Sequence, residues 1–180
     1  MNKTIVAYFS KSGNNRFLAE RLAETLQCEV VRIEPANDNF MGIMFSSLFG
    51  AGMRIKKPRL AEENYEKVLL CGPIWAGQLL APLRTFLKNY CAAIPAVYFA
   101  TCCGSGDDAK DGKFGYERVF AKVRKVSGER CKACMAFPIA YAVPEEFRND
   151  DETVMKTQLS DSAFKGELGT RFEKLVGLVK

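Results

Sequence analysis

A turn rich in hydroxyl and amide side chains follows the first apolar segment of the chain. Residues 10–15 read Ser-Lys-Ser-Gly-Asn-Asn, and a helical pattern with Leu18, Leu22 and Leu26 on one stripe begins directly behind them. The free N–H groups and the dipole at a helix N-terminus attract anions. The turn matches neither a Walker loop nor Gly-x-Gly-x-x-Gly. It therefore predicts either a phosphate site made mostly of neutral donors or a plain helix cap.

Five apolar segments alternate with helical patterns along the 180 residues. Strands are predicted at residues 4–9, 28–33, 67–71, 96–101 and 132–143. The third and fourth are almost continuously apolar, which is typical of strands covered on both faces. This alternation predicts an α/β fold with a doubly wound parallel sheet and helices on both faces, in a single domain of residues 1–180.

Two segments between these elements receive a more specific prediction. Residues 40–53 are mainly apolar and are interrupted by Gly42, Gly50 and Gly52, and we predict a largely buried helix there. Residues 145–161 are polar, and we predict a loop before the last helix.

Ligands of doubly wound folds bind beyond the carboxyl ends of the strands, so the segments after strands one, three and four form the candidate site. We call these segments the first loop (residues 10–15), the second loop (residues 72–78) and the third loop (residues 101–108). The second loop contains Trp75, the only tryptophan, whose flat apolar face suits an aromatic ligand or the rim of the core. The third loop consists mainly of small residues, and we expect its backbone amides to be accessible.

Together, the three loops resemble those of the flavodoxin family. The family's phosphate loop reads Ser/Thr-x-Thr-Gly-Asn-Thr, and the first loop matches it in order, with Ser12 for the usual Thr and Asn15 for the final Thr. Residues 72–77 look like the family's second flavin loop. The resemblance covers essentially the whole chain. It implies a flavodoxin-like five-stranded sheet of order 2-1-3-4-5 and a bound FMN.

The resemblance also implies a role for each loop. The first loop would hold the FMN phosphate, Trp75 would stack on the flavin ring, and the Ala76–Gly77 peptide would contact the N5 edge. Backbone amides of the third loop would bond the pyrimidine end. The cofactor-binding residues implied are Ser10, Lys11, Ser12, Gly13, Asn14, Asn15, Pro73, Ile74, Trp75, Ala76, Gly77, Thr101, Cys102, Cys103, Gly104 and Ser105.

The chain departs from the family pattern in two respects. Small electron carriers of the family are typically acidic, whereas this chain has a net charge of +5. Many members place a second aromatic residue in the third loop, and none occurs here. One face of the flavin would then be open or covered by another aromatic side chain, for which the candidates are Phe40, Phe45, Phe49 and Tyr116.

The chain has seven cysteines and no histidine, which excludes imidazole bases, Cys-His pairs and His-ligated metals. Cys131 and Cys134 have the spacing of a redox or metal pair. Residues three apart on a strand point to opposite faces, however, so we favour structural thiols and predict no metal site. For Cys102 and Cys103 we likewise favour packing over a redox role.

Three functions remain open, none of which needs a catalytic side chain. We favour an FMN carrier that passes electrons between redox partner proteins, which the basic charge suggests are acidic. The alternative is an NAD(P)H:quinone-type oxidoreductase in which Arg54, Lys56 and Lys57 attract the nicotinamide phosphates. A flavin-free interaction module on the same scaffold is the third.

Partners and location follow from composition. Two basic runs, at residues 54–59 and 122–132, carry no interleaved aromatics, so we expect solvated faces and no nucleic-acid partner. The chain shows no signal peptide and no apolar run of the ~20 residues that a transmembrane helix needs. With free thiols as the default for the cysteines, we expect a soluble cytoplasmic protein.

Overall fold

A five-stranded parallel sheet forms the centre of the protein in a computed structural model that describes residues 3–58 and 64–180. The elements in chain order are β1 (Thr4–Tyr8), α1 (Asn14–Leu26), β2 (Glu29–Arg32), α2 (Phe40–Leu48), β3 (Lys67–Cys71), β4 (Ile74–Trp75), β5 (Gln78–Leu79), α3 (Ala81–Asn89), β6 (Ala96–Cys103), α4 (Tyr116–Ser127), β7 (Cys131–Pro138), α5 (Asp151–Lys156) and α6 (Gly166–Val179). The sheet order is β2-β1-β3-β6-β7, and β4 and β5 form a separate antiparallel hairpin. The predicted parallel sheet of order 2-1-3-4-5 is confirmed.

Two hydrophobic cores lie on opposite faces of this sheet. Val68 and Leu70 of β3 belong to the core under α2, α3 and α4, which also contains Phe86. Leu69 belongs to the core under α1 and α6, together with Leu175. Successive residues of a strand point to opposite faces, so a strand covered on both sides must be apolar at every position. This is why the continuous apolar runs predicted the central strands well.

The ends of the last two sheet strands differ from the prediction. β6 continues to Cys103, two residues beyond the predicted end, because it stays paired with β7 up to the Cys103–Pro138 pair. β7 ends at Pro138, where the prediction continued to residue 143, and a 3-10 turn over Ile139–Ala142 follows. Proline has no N–H to donate to a sheet ladder, which makes Pro138 a natural end for the strand.

The prediction of a largely buried helix at residues 40–53 is wrong in both length and burial. α2 begins at a cap, where the Asn39 side chain accepts from Met41 N, and it ends at Leu48, ahead of Gly50 with φ +68°. Only Ile43 and Ser47 of the helix are buried. The apolar residues of α2 that are half or more exposed are Phe40, Met41, Phe45 and Leu48.

The loop predicted at residues 145–161 contains a helix. Asp150 caps α5 by accepting from Glu152 N, and 3-10 turns lie on either side at Glu145–Phe147 and Asp161–Ala163. Within the described ranges, no helix combines the length and the apolar character that crossing a bilayer requires. Arg59, the last member of the first basic run, lies outside the described residues.

Candidate functional site

The first loop leads into an N-terminus of α1 that no described side chain caps. Gly13 adopts φ +100° immediately before the helix, and the first turn carries no acidic residue. Ser10 Oγ accepts from Gly13 N at 3.1 Å. The Lys11 ammonium instead binds the Asp38 carboxylate at 2.7 Å. The first-turn N–H groups of α1 lack partners within the helix, as at any helix N-terminus.

Asn14 and Asn15 join the first loop to distant parts of the chain. The Asn14 amide donates to Thr157 O and accepts from Leu159 N, at 2.9 and 2.8 Å. The Asn15 amide donates to Cys102 O and accepts from Cys102 N, at 3.2 and 2.9 Å. Both asparagines are 2% exposed. Their amides are therefore occupied by protein partners, and only the backbone N–H groups of these residues can face a ligand.

The second loop is a tight hairpin whose turn is Ala76–Gly77. Both residues have positive φ, +49° and +64°, which is the geometry of a type I′ turn. An alanine in the left-handed region costs about 1–2 kcal/mol. Gly77 is buried, and a Cβ placed on it would lie 2.5 Å from Lys113 O. Lys122 Nζ donates to Gly77 O at 2.7 Å, which fixes the turn from the other side.

Trp75 lies half-buried between two phenylalanines. Its ring centroid is 6.3 Å from that of Phe9, edge-on, and 4.9 Å from that of Phe40, tilted. Of the four aromatic residues predicted to cover a flat ligand, Phe40 is therefore in contact with the indole. Phe45 and Phe49 are exposed, and Tyr116 is buried with its hydroxyl on Asp107. The neighbouring Pro73 and Ile74 are half-buried.

The accessible part of the third loop begins at Gly104 rather than at Thr101. Thr101, Cys102 and Cys103 are buried in β6, and the Cys102 N–H is held by Asn15. Burial raises the pKa of Cys103 to about 12 and that of Cys102 well above its usual range. Both thiols therefore stay protonated at neutral pH, which supports packing over a redox role.

A cavity of about 450 Å³ lies between the second and third loops. Its lining residues are Ile74, Ala76, Gly104, Ser105, Phe114, Asp151, Val154 and Met155. This volume is in the range of small-molecule sites. The Met155 sulfur lies over the third loop, 3.0 Å from where a Gly104 Cβ would be. The first loop does not line this cavity. It is connected to the cavity through Asn14, whose side chain bonds Thr157 and Leu159 in the segment that follows α5.

Phe114, Val154 and Met155 are cavity residues that sequence reasoning missed. They belong to segments without family motifs, and residues 145–161 were predicted to be a loop. The start of α5 had a readable signal, since Asp150, Asp151 and Glu152 followed by Lys156 form an N-cap, an acidic first turn and a basic last turn. Phe114 had no comparable signal.

Asp107 anchors the third loop through three side chains. It accepts from the hydroxyls of Tyr116 and Tyr141, at 2.5 and 2.8 Å, and from the Arg171 guanidinium. Partial burial opposes ionisation of this carboxyl, but the hydrogen bonds and the Arg171 charge outweigh it and hold the pKa of Asp107 below its usual value. The loop is thereby tied to α4, α6 and the turn after β7.

A second cavity, of about 680 Å³, is strongly cationic. Its lining contains Arg84, Lys88, Arg118, Lys122 and Lys125, and no acidic residue among the described lining. Arg84 is 7% exposed and donates only to backbone carbonyls, including Ala51 O at 2.8 Å and Leu79 O at 2.9 Å. Burial and the neighbouring guanidinium groups lower the pKa of Lys122. The interpretation of the second basic run as a merely solvated face is therefore wrong for Lys122, which is partly buried and donates to Gly77 O, whereas Lys125 is exposed.

Comparison with known proteins identifies structures that share the fold of this chain, but no sequence family. No family model matches the chain, and no curated protein matches it in sequence. A flavoprotein from Lactobacillus acidophilus NCFM, solved in complex with FMN, is 16% identical with a TM-score of 0.55, over 76% of this chain and 93% of that one. The chain has the flavodoxin-like fold. Its resemblance to the flavodoxin family is thus confirmed at the level of architecture.

Two further structures share this flavodoxin-like architecture. A candidate flavoprotein from Bacteroides eggerthii DSM 20697 is 17% identical with a TM-score of 0.62, over 85% of this chain and 93% of that one. A flavodoxin from Streptococcus pneumoniae TIGR4 is 10% identical with a TM-score of 0.50, over 98% of this chain and 96% of that one. In flavodoxin-like folds, the ligand crevice lies beyond the strands at which the sheet order reverses, which here are β1 and β3.

Proposed function

We propose that residues 1–180 form a single-domain electron-transfer flavoprotein that binds FMN non-covalently and passes electrons to partner proteins. The observation that carries this proposal is the placement of an uncapped helix N-terminus and a 450 Å³ cavity at the same end of the sheet. When bound, FMN supplies one-electron and two-electron chemistry that no side chain has. The net charge of +5 favours partners with acidic docking surfaces.

Each loop of the site would contribute a different kind of contact. The Ser10 and Ser12 hydroxyls and the backbone N–H groups of Asn14 and Asn15 would bind the phosphate, since the Gly13 N–H already donates to Ser10 Oγ. Trp75 and the Ala76–Gly77 turn would border the ring on one side, with Gly104 and Ser105 on the other. Met155 would cover the cavity in place of a second aromatic residue. The ammonium of Lys11, which is paired with Asp38, would contribute little.

The location proposed for this flavoprotein is the cytoplasm. All seven cysteines are free thiols, four of them buried: Cys71, Cys91, Cys102 and Cys103. Proteins of oxidising compartments instead tend to pair their cysteines.

We expect FMN to quench the fluorescence of Trp75 and to bind at least ~100-fold more tightly than riboflavin, which lacks the phosphate. A phosphate at a helix N-terminus gains charge-assisted bonds that the hydroxyl of riboflavin cannot make. In Ser12→Asp the new carboxylate should repel the phosphate and remove most of this preference. Fluorescence titration of each apoprotein with FMN and with riboflavin measures the four affinities.

Ser162→Asp is the matched control, because it adds the same charge at an exposed position outside the three loops. It should bind FMN as the parent protein does. Equal affinity for FMN and riboflavin would show that the first loop is not a phosphate site. No binding of either compound at micromolar concentration would end the flavin proposal.

The second candidate function is an FMN-dependent NAD(P)H oxidoreductase, and the cationic cavity favours it. The β4–β5 hairpin borders both cavities, through Ile74 and Ala76 on one side and Gln78 on the other. The phosphates of a nicotinamide dinucleotide would relieve the repulsion among the five basic side chains that line the cationic cavity. These cations suit that role better than the first basic run, in which Lys56 is paired with Glu34 at 2.5 Å.

Anaerobic mixing with NADPH separates the two functions. The carrier proposal predicts that the visible absorbance of the FMN-loaded protein persists for many minutes when no reductase is added. The oxidoreductase proposal predicts that the flavin bleaches within seconds. The bleaching rate should fall about tenfold or more in Arg118→Gln and in Lys125→Gln, because each substitution removes a cation from the cavity. Lys174→Gln, an exposed position on α6, is the control that should leave the rate unchanged. Rapid bleaching would exclude the passive carrier.

A further inference from the structure

Cys131 and Cys134 form a pair that the proposed flavin site does not use. Cys131 is paired with Val97, near the beginning of β6, whereas the cavity begins at Gly104, after the last residue of that strand. At ~3.3 Å per residue, the two places are roughly 20 Å apart along the sheet. The pair therefore lies at the opposite end of β7 from the three loops.

A β-bulge places both cysteines on the same face of the sheet. The register shifts between Val97 and Tyr98, which pair with Cys131 and Ala133 and leave Lys132 as the extra residue. An extra residue reverses the alternation of side chains, so positions three apart share a face. Both cysteines pack against the core under α3 and α4, while Ala133 packs against the other core. The prediction that the two side chains point to opposite faces is therefore wrong.

The two sulfur atoms are 3.7 Å apart, close enough for a thiol to donate to a thiolate. Donation from Cys134, together with the positive charges of Arg124 and Lys132, lowers the pKa of Cys131 to about 7. The same interaction raises the pKa of Cys134 well above its usual range. Glu117, on α4, is the acidic group that acts on the pair, and it favours the protonated form of Cys134. Cys131 is thus the member of the pair that loses its proton more readily near neutral pH.

The other cysteines lack this combination of exposure and charge. Cys71, Cys91, Cys102 and Cys103 are buried, and their pKa values are raised by that burial. Cys28 is half-buried like Cys131, but desolvation and the Glu29 carboxylate raise its pKa. A reactive cysteine needs an accessible thiolate in a positive environment. Among the seven, only Cys131 combines these properties and also has a second thiol beside it.

We propose that Cys131 and Cys134 are a thiol–disulfide exchange site that reacts with small disulfides. The Cys131 thiolate attacks one sulfur of a disulfide R–S–S–R, the S–S bond breaks, and R–S⁻ leaves and takes a proton from water. The Cys134 thiol then gives its proton to water and attacks the Cys131 sulfur, which releases the second R–S⁻. The two cysteines lose two electrons and become a disulfide, and R–S–S–R gains them and becomes two thiols.

The experiment exposes the reduced protein to oxidised glutathione at pH 7 and follows it by acid quenching, intact mass and peptide mapping. We expect the parent protein to lose two hydrogens, with a Cys131–Cys134 bond and no retained glutathione. Cys134→Ser should stop at a glutathione adduct on Cys131, because no second thiol is there to release it. Cys131→Ser should react at least about tenfold more slowly. Cys28→Ser, which removes a half-buried cysteine without a neighbouring thiol, should behave as the parent does.

A second measurement tests the electrostatic argument without requiring disulfide formation. The alkylation rate of Cys131 by iodoacetamide at pH 7 should fall severalfold in Arg124→Gln and stay unchanged in Lys174→Gln. The proposal is overturned if Cys28 takes up glutathione before Cys131, if Cys131→Ser reacts at the parental rate, or if the folded parent protein forms no bond between the two cysteines. FMN affinity is expected to be the same in all these variants, so the result does not depend on the flavin proposal.

Discussion

Replacing Gly77 with alanine is expected to destabilise the protein by about 2–4 kcal/mol. The new methyl group would lie 2.5 Å from the Lys113 carbonyl oxygen, which is backbone and cannot rotate away. The residue would also have to keep φ near +64°, next to Ala76, which already occupies the left-handed region. For a chain of this size, thermal unfolding of the apoprotein should occur roughly 4–16 °C lower.

Gly177→Ala is the matched control for this substitution. Gly177 lies in α6, and nothing approaches within 4 Å of the position that an alanine methyl group would take there. Alanine should leave stability unchanged or raise it by about 0.5–1 kcal/mol, because glycine disfavours helices. If Gly77→Ala melts at the parental temperature, the hairpin does not pack against residues 113–114 as described.

Replacing Asn15 with alanine is expected to cost about 2–6 kcal/mol of folding free energy. The Asn15 side chain satisfies both the N–H and the C=O of Cys102, at a buried position. A buried polar group left without a partner costs about 1–3 kcal/mol, and here two are left. Urea denaturation measures the loss, and hydrogen exchange at the Cys102 amide should speed up by more than the change in global stability explains.

Arg16→Ala provides the comparison at the neighbouring helix position. Arg16 is exposed and forms an i,i+4 ion pair with Glu20, a kind of contact that contributes only about 0.3–0.5 kcal/mol. Its removal should barely change the denaturation midpoint. Unchanged protection of the Cys102 amide in Asn15→Ala would show that another group holds this strand end.

The architecture was predictable because its signals are local. Continuous apolar runs marked β3 and β6, and the hydroxyl-rich turn before the Leu18 stripe marked the start of α1. The same kind of signal failed for residues 40–53, because an apolar run does not reveal whether another element covers it. In the folded protein Phe45 is 54% exposed, and the helix ends before Gly50.

The positions of the three loops follow from the predicted strands, but their geometry was not predicted. The sequence placed Ala76–Gly77 in the second loop without indicating the hairpin there, whose two turn residues both have positive φ. The bonds from Asn15 to Cys102 span 87 residues, and the bond between Asn14 and Leu159 spans 145. Such partners are determined by tertiary packing, which a local sequence pattern cannot predict. The bulge at Lys132 likewise depends on the register with β6.

The two hydrogen bonds made by the Asn14 side chain have a consequence for any ligand long enough to occupy both halves of the crevice. The stretch that Asn14 holds, at Thr157 and Leu159, is continuous with the residues of α5 that line the cavity, among them Val154 and Met155. Seating one end of such a ligand would therefore restrain the wall that receives the other end. Binding of one half of the ligand would therefore favour binding of the other half. Fragments that carry only one half should bind far more weakly than the sum of their binding free energies would suggest for the whole ligand.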